Sequence, residues 1–230
     1  MDQPASIRSK TRDEIAKAYK SEPWWYDVRG FFILTFAYNS SLGAMMRQFG
    51  PNVGPRHIEI AIGSGTLFKM LLKWRRRRKL PQGQVVGVDY AESMLAGAMR
   101  RFAGHPEIDL QLADAADLPF ETNAFDTANI ANSVHCLPDV DGALREVARV
   151  LKPGGTFAAN VLLFPRGGWP LGDIAQRIND WGIRKGILYT PFRLDDIRRR
   201  VLAAGLQIVA DDVSGNCYNV LARKPQASVT

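Results

Sequence analysis

Two acidic residues and a turn of small ones carry the first chemistry legible in this chain. Residues 58–67 read Ile58-Glu59-Ile60-Ala61-Ile62-Gly63-Ser64-Gly65-Thr66-Leu67. An apolar run with a carboxylate inside it ends in small residues, and a helical pattern begins with Leu67, Met70, Leu71 and Trp74 at one-face spacing. This is strand, glycine loop, helix. Glycines let the backbone turn sharply and let a ligand approach the main chain, and the first helical turn offers unpaired N–H groups. A second apolar run, Val85-Val86-Gly87-Val88, ends in Asp89. A carboxylate there can accept both ribose hydroxyls, so the pattern predicts a nucleoside at the carboxyl edge of a parallel sheet. An ordinary helix N-terminal charge is the alternative reading of Asp89.

The elements that must position these residues alternate. Before the sheet, Phe31, Leu34, Tyr38, Leu42, Met45 and Phe49 step by three and four, predicting an amphipathic helix closed by Gly50-Pro51. Met94, Leu95, Ala98, Met99 and Phe102 mark a helix; Ile108, Leu110 and Leu112 alternate as a strand does; Phe125 to Ile130 is a fourth strand. Ala143, Leu144, Val147, Val150 and Leu151 mark another helix, Lys152 to Gly155 a turn, and Thr156 to Leu163 a buried strand. A helix over about 171–181 follows a Gly- and Pro-rich loop. The last helix, with Leu194, Ile197, Val201 and Ala204, stops at Gly205. Leu206 to Val213 and Tyr218 to Ala222 read as an antiparallel edge hairpin. The fold class is therefore α/β, a doubly wound, mostly parallel seven-stranded sheet. Residues 1–52 form a helical cap and 53–230 the ligand-binding domain.

Composition narrows the classes. An apolar fraction of 46% supports a real core. Without about 18 consecutive uncharged apolar residues, no membrane-spanning helix is expected; the polar N-terminus carries no apolar leader core, and the reading is cytoplasmic. Cys136 and Cys217 read as free thiols. No residues stand at zinc-ligand spacing, so no metal is expected. The phosphate-loop spacing of nucleotide hydrolases is absent. Net charge is +7, and the densest basic run is Arg75-Arg76-Arg77-Arg78-Lys79. It reads first as a solvated helix end, with peripheral contact to a membrane surface next and nucleic acid disfavoured for lack of interleaved aromatics.

The loop spacing Ala61-x-Gly63-x-Gly65, with Glu59 two residues before it, resembles motif I of class I S-adenosylmethionine-dependent methyltransferases. Leu67 and Phe68 stand where a dinucleotide fingerprint would place its third glycine. Asp89, the stretch Leu112 to Phe120 with Asp114, the entry Phe125-Asp126 leading to Asn132-Ser133-Val134-His135, and Ala143 to Gly155 continue the resemblance in order. It covers roughly residues 56–160, and 190–223 more loosely, and points to quinone-biosynthesis-type small-molecule enzymes. The family has glycine at position 61; alanine fits a negative φ, and a positive φ there would weaken binding.

The resemblance implies S-adenosylmethionine as cofactor. Glu59 would serve its amino-acid end through the loop; Ala61, Gly63, Ser64 and Gly65 would line it. Asp89 would hold the ribose, Tyr90 and Met94 would flank the adenine, and Asp114 with the Ala115 N–H would read its edge. Asn132 completes the cofactor set. Tyr19, Trp24, Trp25, Tyr38, His135 and Trp169 are substrate-pocket candidates, and His135 and Tyr26 candidates for proton transfer. The expected acceptor is small and aromatic or hydrophobic. An RNA or protein methyltransferase, or a non-catalytic cofactor-binding partner, are the alternatives; a nicotinamide dehydrogenase is disfavoured. Oligomeric state has no signal in the sequence.

Overall fold

The computed structural model describes residues 41–164, 177 and 192–226. The described elements run α1 (Leu42–Phe49), a 3-10 turn (Gly50–Asn52), β1 (Arg56–Ile60), α2 (Thr66–Arg77), β2 (Gln84–Asp89), α3 (Glu92–Arg101) and β3 (Ile108–Leu112). Then come β4 (Phe125–Ile130), a 3-10 turn (Val134–Cys136), α4 (Val140–Val150), β5 (Leu151–Leu162), α5 (Leu194–Ala203), β6 (Gln207–Ser214) and β7 (Cys217–Arg223). The seven strands form one sheet in the order β3-β2-β1-β4-β5-β7-β6. Strands β1 to β5 are parallel, and β7 runs antiparallel to both β5 and β6. The architecture is Rossmann-like, with an antiparallel edge as expected.

Strand order reverses between β1 and β4, where connections leave on opposite faces and a crevice opens at the carboxyl ends. Alternation in β1 sends Ile58 and Ile60 to one face and His57 and Glu59 to the other. The first face packs on α4 and α5 through Ala143, Leu144, Val147, Ile197 and Val201. The second packs on α1, α2 and α3 through Met45, Met46, Phe49, Phe68, Leu71, Leu95 and Ala98. The described end of the expected N-terminal cap thus packs its Met45, Met46 and Phe49 face against the sheet.

The structure corrects several helix faces. Met70 and Met99, expected inside, are 39% and 49% exposed. In α2 the buried face is Phe68, Leu71 and Arg75, and at 100° per residue Met70 falls well away from it. Leu112 is 51% exposed because β3 is an edge strand. Leu151 begins β5 instead of ending a helix, and Lys152 to Gly155 belong to that strand. There β4 advances from Phe125 to Thr127 while β5 advances from Leu151 to Thr156, a bulge. Gly154, at φ +81°, makes the bend, and its N–H donates to the Lys224 carbonyl at 2.9 Å. Arg75 is not solvated at all: it is 4% exposed and donates to the carbonyls of Gly50 and Pro81. Both cysteines are free. No helix among the described residues is long and apolar enough to cross a membrane.

Candidate active site

The crevice is built from three strand ends. After β1, the loop closes on itself and on β2: Gly65 N–H donates to Ile62 O at 3.1 Å, and Ile62 N–H to Val88 O at 3.0 Å. Three residues of the loop are left-handed, Ala61 at φ +57°, Gly63 at +60° and Gly65 at +76°. Alanine at 61 therefore adopts the conformation it tolerates poorly, contrary to the negative φ that would suit it. Gly65 has a packing reason as well: a Cβ there would stand 2.5 Å from the Phe102 ring. Gly63 differs, since a Cβ there would meet nothing within 4 Å. Its bare backbone faces open space, which is what a ligand lying across the loop requires. Ser64 is buried, and its carbonyl accepts from Arg101 Nε at 2.9 Å.

Asp89 ties the loop to β2. Its Oδ2 accepts the Gly63 N–H at 2.7 Å and its Oδ1 the Ala91 N–H at 2.9 Å. Burial pushes this carboxyl above its ordinary value, while the N–H groups of Ala91, Gly63 and Tyr90 pull it down. With three N–H groups on its two oxygens, the carboxylate keeps acceptor capacity for a ligand hydroxyl. Tyr90 is half-buried, whereas Met94 is 1% exposed, so only Tyr90 of the expected adenine pair is open to a ligand.

Asp114 lies past β3. Its Oδ1 accepts the Ala116 N–H at 2.9 Å, leaving Oδ2 without a partner among the described residues. The segment is held from α4. Arg149 donates to the carbonyls of Phe120 at 2.6 Å and Leu118 at 2.9 Å, and Glu146 accepts the Leu118 N–H at 2.7 Å. The Arg149 guanidinium beside Glu146 holds that carboxyl below its usual range. Ala115, 8% exposed, sits in the same turn.

Beneath the loop lies a polar ladder that sequence reasoning missed. Glu59, 4% exposed, accepts through Oε2 from His57 Nε2 and Asn129 Nδ2, both at 3.1 Å. His57 Nδ1 stands 2.8 Å from Thr127 Oγ1, and Asn129 Oδ1 accepts from Asn52 Nδ2 at 3.0 Å. Strand register puts His57 opposite Thr127 and Glu59 opposite Asn129. Period-two placement of polar residues in two buried strands was the available signal. The Glu59 carboxylate is thus held inside the sheet, bonded to His57 and Asn129.

Past β4, Asn132 is left-handed, at φ +54°. Its N–H donates to Asn160 Oδ1 at 2.6 Å, its Oδ1 accepts from Asn160 Nδ2, and its Nδ2 faces Met45 Sδ at 3.5 Å. His135 follows in the 3-10 turn, 3% exposed. Burial lowers its pKa to about 3. An imidazole so disposed stays neutral at pH 7 and is a weak proton acceptor, which argues against His135 as a general base. Tyr19, Trp24, Trp25, Tyr26, Tyr38 and Trp169 lie outside the described residues. Among the described residues no cluster of three metal-ligating side chains occurs.

Residues 58–159 match the family model described as a methyltransferase domain. Over that stretch, which is under half of the chain, the sequence is similar to methyltransferase domains. A demethylmenaquinone methyltransferase of Staphylococcus aureus is 35% identical over 111 residues, 48% of this chain. That match spans only 44% of the relative's length. A chain of the complex between the Haloferax volcanii Trm112 methyltransferase activator and a methyltransferase superposes with a TM-score of 0.68 at 20% identity, covering 94% of this chain and all of that one. A S-adenosylmethionine-dependent methyltransferase from Mesorhizobium loti superposes with a TM-score of 0.62 at 23% identity, covering 81% and 99%. These structural likenesses carry the fold. S-adenosylmethionine is the cofactor of such domains, and the residues present fit it: the Gly63 backbone is open, the Asp89 carboxylate adjoins it, and Asp114 follows the neighbouring strand with Oδ2 unengaged by any described residue.

Proposed function

We propose that the protein transfers a methyl group from S-adenosylmethionine to a small aromatic acceptor of the quinol class. The observation that carries the cofactor half is the junction of Gly63 and Asp89, where an open main chain adjoins a carboxylate with acceptor capacity left for a hydroxyl. The acceptor half rests on the demethylmenaquinone methyltransferase likeness.

S-adenosylmethionine supplies a methyl carbon already made electrophilic by its sulfonium. Gly63, Ser64 and Gly65 would line it with backbone, Asp89 would bind the ribose hydroxyls, and Asp114 with the Ala115 N–H would read the adenine edge. Glu59, held between His57 and Asn129, would act on the cofactor only through the loop that follows β1. The chain's contribution is orientation, which can lower such a barrier by about 7–11 kcal/mol. No described side chain is required as a base, in keeping with the weak basicity of buried His135.

Incubation with tritiated cofactor and a panel of hydroquinones, catechols, total RNA and a protein extract tests the reading. Label in a hydroquinone with none in the polymers supports it. Label in RNA or protein alone would replace the acceptor half with a macromolecular one, for which the net charge of +7 gives some ground.

A further inference from the structure

The basic run is the one sequence feature that methyl transfer leaves unexplained, and the structure redraws it. Arg75 leaves the set, because its guanidinium is spent on the buried Gly50 carbonyl and the part-buried Pro81 carbonyl. The exposed cations of α2 and its end are Lys69, Lys73, Arg76, Arg77, Arg78 and Lys79. No acidic residue lies between positions 66 and 79, and none of the six forms an ion pair with a described residue. Without them the chain's net charge of +7 would fall to +1, so the excess is concentrated here.

Geometry turns the run into a strip. At 100° per residue, Lys69, Met70, Lys73, Arg76 and Arg77 fall within an arc of about 120°. From Lys69 to Arg77 the strip is about 12 Å long. Lys69 with Lys73, and Lys73 with Arg77, are like charges one turn apart, which destabilises a helix. Lys69 also stands near the positive end of the helix dipole, where a cation is disfavoured. Capping of a helix C-terminus therefore does not account for the pattern; an external counter-charge does. One border of the strip is apolar: Met70 is exposed, and Leu67 and Trp74 are half-buried beside it, with the Arg78 guanidinium 4.1 Å from the Trp74 ring. A convex basic face with an apolar margin fits a lipid interface better than a phosphodiester backbone, which asks for stacking rings or a groove.

We propose that the outer face of α2 docks the protein on an anionic lipid surface. The strip begins within one turn of the glycine loop, so a bilayer held against it lies beside the crevice. This goes beyond the reading of the acceptor and stands without it.

The test is co-sedimentation of the full chain with phosphatidylcholine vesicles, with and without about 30% phosphatidylglycerol, at low salt and at about 0.5 M salt. At least tenfold stronger partition onto the anionic vesicles is expected, lost at high salt. Each cation at such a surface is worth about a fivefold change. The combined variant Lys69→Ser, Lys73→Ser, Arg76→Ser and Arg77→Ser should lose at least tenfold, with its circular dichroism and cofactor affinity unchanged. Met70→Glu alone should weaken binding at fixed cation number, and covers the case in which the combined variant misfolds. Arg145→Ser and Arg223→Ser, exposed elsewhere, should bind as the parent does. Equal partition onto neutral and anionic vesicles, or retention of binding in the combined variant, would overturn the proposal. So would oligonucleotide binding through this strip with none to vesicles.

Discussion

Asp89 Oδ2 accepts the Gly63 N–H at 2.7 Å, joining the end of β2 to the tip of the glycine loop. The carboxylate therefore shapes the loop before it meets any ligand. Replacing Asp89 with Asn keeps the size but removes the charge and one acceptor. A hydrogen bond to a charged group contributes about 1.5–3 kcal/mol. Amide exchange at Gly63 and Ala91 should accelerate in the unliganded variant, which hydrogen-exchange measurements would register. Unchanged protection would mean the loop holds its shape unaided.

Ala61 occupies a left-handed position at φ +57°. That conformation costs an L-residue about 1–2 kcal/mol, against about 0.4–1 kcal/mol of unfolded-state entropy that alanine saves over glycine. Ala61→Gly is accordingly expected to be neutral or to stabilise by up to about 1.6 kcal/mol. Ala61→Val should destabilise by more than 1 kcal/mol, since a β-branched residue fits this region worst (order of magnitude, about 1–3). Denaturant titration of the three proteins gives the order; a Val variant as stable as the parent would contradict it.

Burial holds His135 at about 3, below the value an unfolded chain would show. The sign follows: stability from the neutral ring is complete above about pH 6.5 and is lost as pH falls toward 3, because the unfolded state takes up the proton first. The loss reaches about 1.4 kcal/mol per pH unit. His135→Gln should flatten the stability profile between about pH 6.5 and 4. Equal slopes in the two proteins would show that His135 titrates normally. The pH profile of turnover should likewise contain no limb belonging to His135 between about 5 and 8.

Arg75 and Arg76 are neighbours with opposite roles. Arg75 is buried against the carbonyls of Gly50 and Pro81, and Arg76 is exposed. Arg75→Met strands the buried Gly50 carbonyl and releases the part-buried Pro81 carbonyl to water, and should cost about 1–3 kcal/mol. Arg76→Met should change stability by no more than about 0.5 kcal/mol. Thermal unfolding separates them, and similar losses would refute the distinction.

Much of the framework could be read from residues 56–160. The order of strands and helices and the edge hairpin followed from periodicity, and the positions of Gly63 and Asp89 at two strand ends from loop spacing; Asp114 was singled out only by the family resemblance. What escaped depended on three dimensions. Nothing local distinguishes Arg75 from Arg76; only the approach of Gly50 and Pro81 does. The Lys152 to Gly155 segment has turn chemistry, yet strand partners on both sides draw it into β5 as a bulge. The ladder of His57, Glu59, Asn129 and Asn52 arises from register between β1 and β4, which a single strand's sequence does not contain. Met70 and Met99 share residue type with core methionines, and only the depth of each helix face separates them.

Calorimetric titration of S-adenosylmethionine into the protein and into Asp89→Ala tests the central claim most directly. The account predicts saturable binding to the parent at one site and at least about a tenfold loss in the variant, the equivalent of one charged hydrogen bond. Binding unaltered by the substitution, or a parent protein that takes up none of the cofactor, would contradict it.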